Sequence, residues 1–285
     1  MQPSYGRELA SLVTKSIFTI GTFITIVILT ISVLTVQLDD QAYISDGTCN
    51  IAVLPIEGVI LPFTGLSLEG FDLAITPEMV NSFMDAAEED ENIEGVLIEI
   101  NSPGGTPVAA HRIAERLHNS SLPVVGLIGD IGASGGYMVA AASDFLIASP
   151  MSDVGSIGVN MSYVEQSQQN EEDGLTYVQL MTGKYKDIGS PDRPITEEER
   201  ALLQNDLDII HNEFIDIVTE YRELPREQVV AIADGASMPG SRALDSELID
   251  ALGNRPEATA ALAGYTDKLL DDVIFCEYDR GFLLF

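Results

Sequence analysis

The sequence predicts an α/β protein of parallel strands joined by helices, carried on an N-terminal transmembrane helix. Three observations lead there. From residue 51 onward, short apolar runs of strand length alternate with stretches of helical periodicity. Glycine-rich turns adjoin several of the strand-like runs. Between Lys15 and Asp39 lie 23 residues without a charge.

That uncharged stretch, residues 16–38, is long enough to cross a membrane. At about 1.5 Å per helical residue it spans a hydrocarbon core of roughly 30 Å. It is rich in Ile, Val and Thr, but in lipid the backbone must satisfy itself, which selects helix. A cleaved leader would have a shorter apolar core and a small-residue cleavage pattern; this segment runs through Val36-Gln37-Leu38 into Asp39-Asp40. Arg7 and Lys15 precede the span, so residues 1–15 are expected in the cytoplasm and the soluble part outside, making a single-pass cell-membrane protein. Residues 39–50 read as a polar linker, and residues 51–285 as the globular domain.

Within that domain Ile51–Ile56 is a buried-strand pattern and Pro77–Glu89 a helix with its acids outward. Gly95–Ile100 is a strand, and Pro107–His118 a helix with Ala109, Ile113 and Leu117 on one stripe. Val124–Ile128, Gly136–Ala142 and Phe145–Ala148 continue the rhythm as strand, short apolar helix and strand. Glu197–Arg222 is the longest helical pattern, with Thr196 and Glu199 spaced as a capping box. Its apolar stripe includes Leu202, Ile209, Ile210, Phe214, Ile217 and Tyr221. A short helix over Pro225–Ile232 and a weak edge strand over Val273–Tyr278 complete the chain.

Composition narrows the function. The net charge is −31, and a field of that sign repels phosphate backbones, so nucleic acid is not an expected partner. Only four residues are Lys, namely 15, 184, 186 and 268. A lysine-poor acidic surface is also what a high-salt habitat would favour. The two cysteines, Cys49 and Cys276, read as separate buried thiols, with one disulfide as the alternative in an oxidising compartment. No metal or cofactor is expected.

Three motifs carry the chemistry. Asn101-Ser102-Pro103-Gly104-Gly105 follows a strand and precedes a helix, and is read as a turn. Paired glycines there leave amides open to an oxyanion, beside a positive helix terminus. In Gly132-Ala133-Ser134-Gly135-Gly136-Tyr137 a serine hydroxyl stands among small residues at a helix start. It can be a nucleophile or a plain N-cap. Gly155-Ser156-Ile157-Gly158-Val159 reads as a turn. A serine nucleophile needs a base, and none of His111, His118 and His211 adjoins a glycine turn. A lysine can serve when neutral, which leaves Lys184 or Lys186 in Gly183-Lys184-Tyr185-Lys186-Asp187. Residue chemistry does not separate the two.

In this order and spacing, NSPGG, ASGGY, GSIGV and GKYKD followed by SP resemble the signal peptide peptidase SppA family, also called protease IV, over roughly residues 51–265. The resemblance implies a ClpP/crotonase-like superhelix and a membrane-anchored Ser/Lys endopeptidase acting on signal-peptide remnants or other apolar peptides. It implies Ser134 as nucleophile, Lys186 rather than Lys184 as general base, and Ser156 orienting the base. It implies the backbone amides of Gly105 and Ser134 as oxyanion donors, with Asn101 and Gly104 supporting the loop. Short members form ring- or dome-shaped homo-oligomers with the dyad completed between subunits, so a homo-oligomer is expected here. Two other readings share the motifs: an inactive scaffold of the same fold, and a crotonase-type acyl-CoA enzyme. The acidic chain offers few cations for CoA phosphates.

Overall fold

A computed structural model describes Thr22, Thr25 and residues 44–45, 47–63 and 74–276. The chain divides into two units, Met1–Tyr43 and Ile44–Phe285. In the first, only Thr22 and Thr25 are described. Apart from these two residues, the expected anchor over 16–38 lies outside the described residues, as does half of the linker over 39–50. Among the described residues no helix is long and apolar enough to cross a membrane.

The second unit alternates strands and helices. In order they are β1 (Ile51–Ile60), β2 (Ala74–Ile75), α1 (Pro77–Glu89), β3 (Gly95–Gly105), α2 (Pro107–His118), β4 (Val124–Ala133), α3 (Gly135–Ala141), β5 (Phe145–Ala148) and β6 (Asp153–Gly155). Then follow α4 (Ser167–Glu172), α5 (Glu197–Tyr221), α6 (Arg226–Ile232), β7 (Ser237–Pro239), α7 (Gly240–Asp245), β8 (Ala251–Leu252) and α8 (Arg255–Tyr265). The main sheet runs β2-β1-β3-β4-β5-β8, parallel throughout. β6 adds parallel to the far end of β4, and β7 pairs antiparallel with β6.

Parallel strands are buried on both faces, which is why β1, β3 and β4 are nearly continuous apolar runs. Leu54, Ile56, Ile98 and Ile100 face a core shared with α1, α2, α3 and α5. The alternate residues Ile51, Val53, Leu97, Val125 and Ile147 face Ala258 and Leu262 of α8. α5 begins with the expected capping box: the Glu199 amide donates to Thr196 Oγ1 at 3.2 Å, and the Thr196 amide to Glu199 Oε2 at 2.9 Å.

Three expectations change. The NSPGG segment is not a turn: β3 stays extended through it, pairing Glu57 with Asn101 and Ile60 with Gly105. Its glycines answer close packing instead. A Cβ on Gly105 would stand 2.0 Å from the Ile60 carbonyl oxygen. β4 likewise continues to Ala133, where the sequence reading stopped at Ile128. The cysteines are not separate thiols. Cys49 and Cys276 form a disulfide with Cα atoms 5.1 Å apart. The main chain draws them together, since the Cys276 amide donates to the Ile51 carbonyl and the Asn50 and Ile51 amides donate to the Ile274 carbonyl.

Candidate active site

The extensions of β3 and β4 carry the chemistry beyond the body of the sheet. At the end of β4 the chain reverses into α3 at Ser134, whose backbone has φ 53° and ψ −126°. A side chain at such a positive φ costs about 1–3 kcal/mol and persists only where its surroundings enforce it. Here they do. The Ser134 amide donates to the Gly155 carbonyl at 2.7 Å, and the Ser134 carbonyl accepts from the Met138 amide at 3.0 Å. Tyr137, fully buried three residues on, donates its hydroxyl to the Leu248 carbonyl at 2.8 Å and pins α3. Burial pushes that phenol well above its ordinary value, so it remains a donor.

Glycines let this turn meet the end of β3. Gly104 has φ 104°, and a Cβ there would lie 2.8 Å from the Gly135 nitrogen and 2.9 Å from Ser134 Cβ. A Cβ on Gly135 would lie 3.3 Å from the Gly105 nitrogen. On β1 the Ile60 carbonyl takes the Thr106 amide, so the Gly105 N–H turns the other way, towards α3. Gly135 opens α3, and its amide has no acceptor within the helix. Asn101 braces the approach: its Oδ1 accepts from the Asp130 amide at 2.7 Å, in the space a side chain at Gly129 would fill.

Gly105, Ser134 and Gly135 line one cleft of about 90 Å³, closed by Met138, Ile210 and Phe214 among others. The Ser134 amide, expected to be an oxyanion donor, is engaged by the Gly155 carbonyl, and the Gly135 amide lies beside Gly105 without an acceptor in α3. α5 supplies Ile210 and Phe214, two members of its apolar stripe that sequence assigned only to packing. None of the three histidines lines the cleft. His118 stacks on Tyr221 with ring centroids 4.2 Å apart.

Ser156, also at positive φ (52°), follows β6. Its hydroxyl donates to the Gly235 carbonyl at 3.0 Å and its amide to the Ala236 carbonyl at 3.1 Å. With its proton so used, the hydroxyl is left as an acceptor.

The two lysines differ in their surroundings. Lys184 is bound to both oxygens of Glu198 at 2.5 Å, a bond that raises its affinity for a proton. That is the opposite of what a neutral base requires. Lys186 is exposed on the segment leading to α5, and is not among the residues lining the Ser134 cleft. The described residues offer its side chain no hydrogen bond or ion pair. The segment around it also exposes large apolar side chains, with Val164 79%, Val178 73% and Leu180 94% accessible.

Residues 116–268, more than half of the chain, match the model of peptidase family S49. A Methanocaldococcus jannaschii protein named as a candidate protease is 36% identical over 183 residues, covering 64% of this chain and 59% of that protein. An Enterococcus faecium protein named as a candidate signal peptide peptidase SppA is 31% identical over 194 residues, 67% of this chain and 56% of its own length. Protease 4 of Haemophilus influenzae is 26% identical over 225 residues, 78% of this chain and 36% of that protein. The chain thus spans little more than half the length of the first two. The matched stretch contains ASGGY, GSIGV and GKYKD together, and the chain belongs to peptidase family S49, the SppA/protease IV family.

Proposed function

We propose that the chain is a serine endopeptidase in which Ser134 is the nucleophile and Lys186 the general base. The observation that carries the reading is Ser134 on a strained strand-to-helix turn, facing a cleft beside the Gly105 and Gly135 amides. Neutral Lys186 accepts the Ser134 proton as Oγ attacks a peptide carbonyl. The two amides hold the resulting oxyanion. The C–N bond then breaks and Lys186 returns the proton to the departing amine. Water, deprotonated by the same lysine, hydrolyses the ester and frees Ser134. The Ser156 hydroxyl, its own proton spent on Gly235, accepts an N–H from the lysine and orients it.

Lys186 reaches the serine of a neighbouring copy in a ring- or dome-shaped homo-oligomer of ClpP/crotonase-type subunits. Two features support this: Lys186 lies outside the cleft lining of its own chain, and the surrounding segment exposes apolar side chains that an interface would cover. Substrates are apolar peptides, including signal-peptide remnants. The cleft beside Ser134 is lined by Pro107, Met138, Ile210 and Phe214, apolar side chains that suit an apolar residue on the acyl side of the cleaved bond. Residues 16–38 anchor the enzyme, with the peptidase domain on the extracytoplasmic side. The disulfide supports that side, since such bonds persist in oxidising compartments.

A serine-directed fluorophosphonate tests the nucleophile. Mass spectrometry is expected to find one adduct, on the peptide containing Ser134, and none in Ser134→Ala. An adduct elsewhere, or undiminished labelling of the variant, removes the assignment.

A further inference from the structure

A lysine can act as a base only in its neutral form, and the segment bearing Lys186 is surrounded by acids. Asp187 follows it directly, and Glu197, Glu198 and Glu199 open α5. A free carboxylate beside an ammonium favours the charged form. The structure shows where three of these carboxylates go. Glu198 accepts from Lys184 Nζ and from the Tyr185 hydroxyl. Asp187 and Glu199 share one guanidinium. Arg193 Nε and Nη2 bind Asp187 Oδ2 and Oδ1 at 3.1 and 2.9 Å. Its Nη1 and Nη2 bind Glu199 Oε2 and Oε1 at 2.9 and 2.6 Å.

This is a double fork, with the planar geometry that arginine provides and lysine does not. It is well shielded: the Arg193, Asp187 and Glu199 side chains are 22%, 17% and 6% accessible. Tyr177 adds its hydroxyl to Asp187 Oδ2 at 3.2 Å, and the Thr196 amide and hydroxyl complete Glu199 at 2.9 Å each. Both neighbours of Lys186 in sequence, Tyr185 and Asp187, are therefore tied to the first turn of α5, while Lys186 itself stays unpaired. Of the other charged groups nearby in sequence, Glu197 pairs with Arg200 at 4.0 Å, and Asp192 accepts from Gln166 and Asn170.

We infer that Arg193 is a positioning residue for the base: it occupies the Asp187 and Glu199 carboxylates so that neither pairs with Lys186, and it fixes the Lys186 segment to α5. The inference rests on the Ser134/Lys186 reading above. The sequence signal is the arginine six residues before Glu199 and six after Asp187, in Asp187-Ile-Gly-Ser-Pro-Asp-Arg193.

The test is the pH dependence of kcat for peptide hydrolysis by the assembled full-length protein, in wild type, Arg193→Gln, Arg193→Lys and Lys186→Ala. Cooperative thermal unfolding is measured beside each. With Arg193→Gln the freed acids hold the proton on Lys186. The midpoint of the rising limb should move up by about one pH unit, which is about tenfold in kcat at neutral pH. KM should change less than about twofold, and the rate should recover above the new midpoint. Arg193→Lys, which keeps a cation, should shift the midpoint in the same direction by less. A brace with no effect on the base would lower kcat by the same factor at every pH, and an unmoved midpoint overturns the inference. If Arg193→Gln does not fold, Arg193→Lys decides by the same criterion. Lys186→Ala separates the two failures. Activity retained there removes the base itself, whereas an inactive Lys186→Ala beside an unmoved Arg193→Gln midpoint removes only the role of Arg193.

Discussion

Ser134 and the glycines around it show how a single residue type decides this site. A hydroxyl side chain sits at a φ that ordinarily selects glycine, while Gly104, where no side chain is tolerated, lets β3 approach it. Alanine at Gly104 would bring both a strained φ of 104° and a methyl group 2.8 Å from the Gly135 nitrogen. Gly104→Ala should therefore lose about 1–3 kcal/mol of stability from the backbone alone. It should also lose about 10²-fold in kcat, because it displaces the amides that receive the oxyanion. Denaturant unfolding and peptide kinetics check the two halves, and an unchanged kcat would mean that Gly104 does not shape the site. The small neighbours and helix start left Ser134 open as nucleophile or plain N-cap, and the family resemblance alone implied the nucleophile. The bond from the Ser134 amide to the Gly155 carbonyl was not legible, because it joins separate elements and leaves no local pattern. Lys184 and Lys186 were inseparable by residue chemistry for a similar reason: the bond of Lys184 to Glu198, which Lys186 lacks, forms only in the folded segment.

At the scale of elements, α1, α2, α3, α5 and α6 were legible, whereas α4, α7, α8 and the strand ends were not. Thr196 and Glu199 announced the start of α5 because a capping box is local in sequence. NSPGG read as a turn because Gly and Pro are poor strand formers, yet pairing with β1 keeps it extended. β6 and β7, three residues each, are too short to show a period and exist through their partners. Glu199 links cap to clamp, and its bonds to Arg193 first, then the Thr196 amide, depress its proton affinity from the ordinary 4.5 to about 2. Asp187 is lowered by the same guanidinium. A depressed carboxylate contributes stability that is complete above its unfolded value and is lost as pH falls through its folded one. The junction between residues 177 and 199 should thus stay protected above pH 4.5 and loosen between about 4.5 and 2. Limited proteolysis with an acid-active protease reads this, and equal protection at pH 2 and pH 6 would contradict it.

Within the second unit, the disulfide and the Ser134 turn lie at opposite ends of the sheet. The disulfide joins residues 227 apart at the start of β1, next to residues 44–50 that follow the uncharged stretch. The Ser134 turn lies at the far ends of β3 and β4, about ten residues of extended chain away, or roughly 30 Å. The α/β class and parallel order were legible in the alternation of elements. The pairing of Cys49 with Cys276 was not, because closing so long a loop depends on the complete fold. The net charge of −31 makes the arrangement around Lys186 a problem of the whole chain, since acids outnumber cations at 45 to 14. The central claim, a Ser134/Lys186 dyad beside an apolar cleft, is tested most directly by one kinetic series. Wild type, Ser134→Ala, Lys184→Ala and Lys186→Ala are compared on two peptides that differ only in an apolar or acidic residue before the cleaved bond. Ser134→Ala is expected to lose at least about 10⁴-fold in kcat, and Lys186→Ala about 10²–10⁴-fold. Lys184→Ala should lose far less, and wild type should prefer the apolar peptide. Full activity in Lys186→Ala, or in Ser134→Ala, would contradict the dyad.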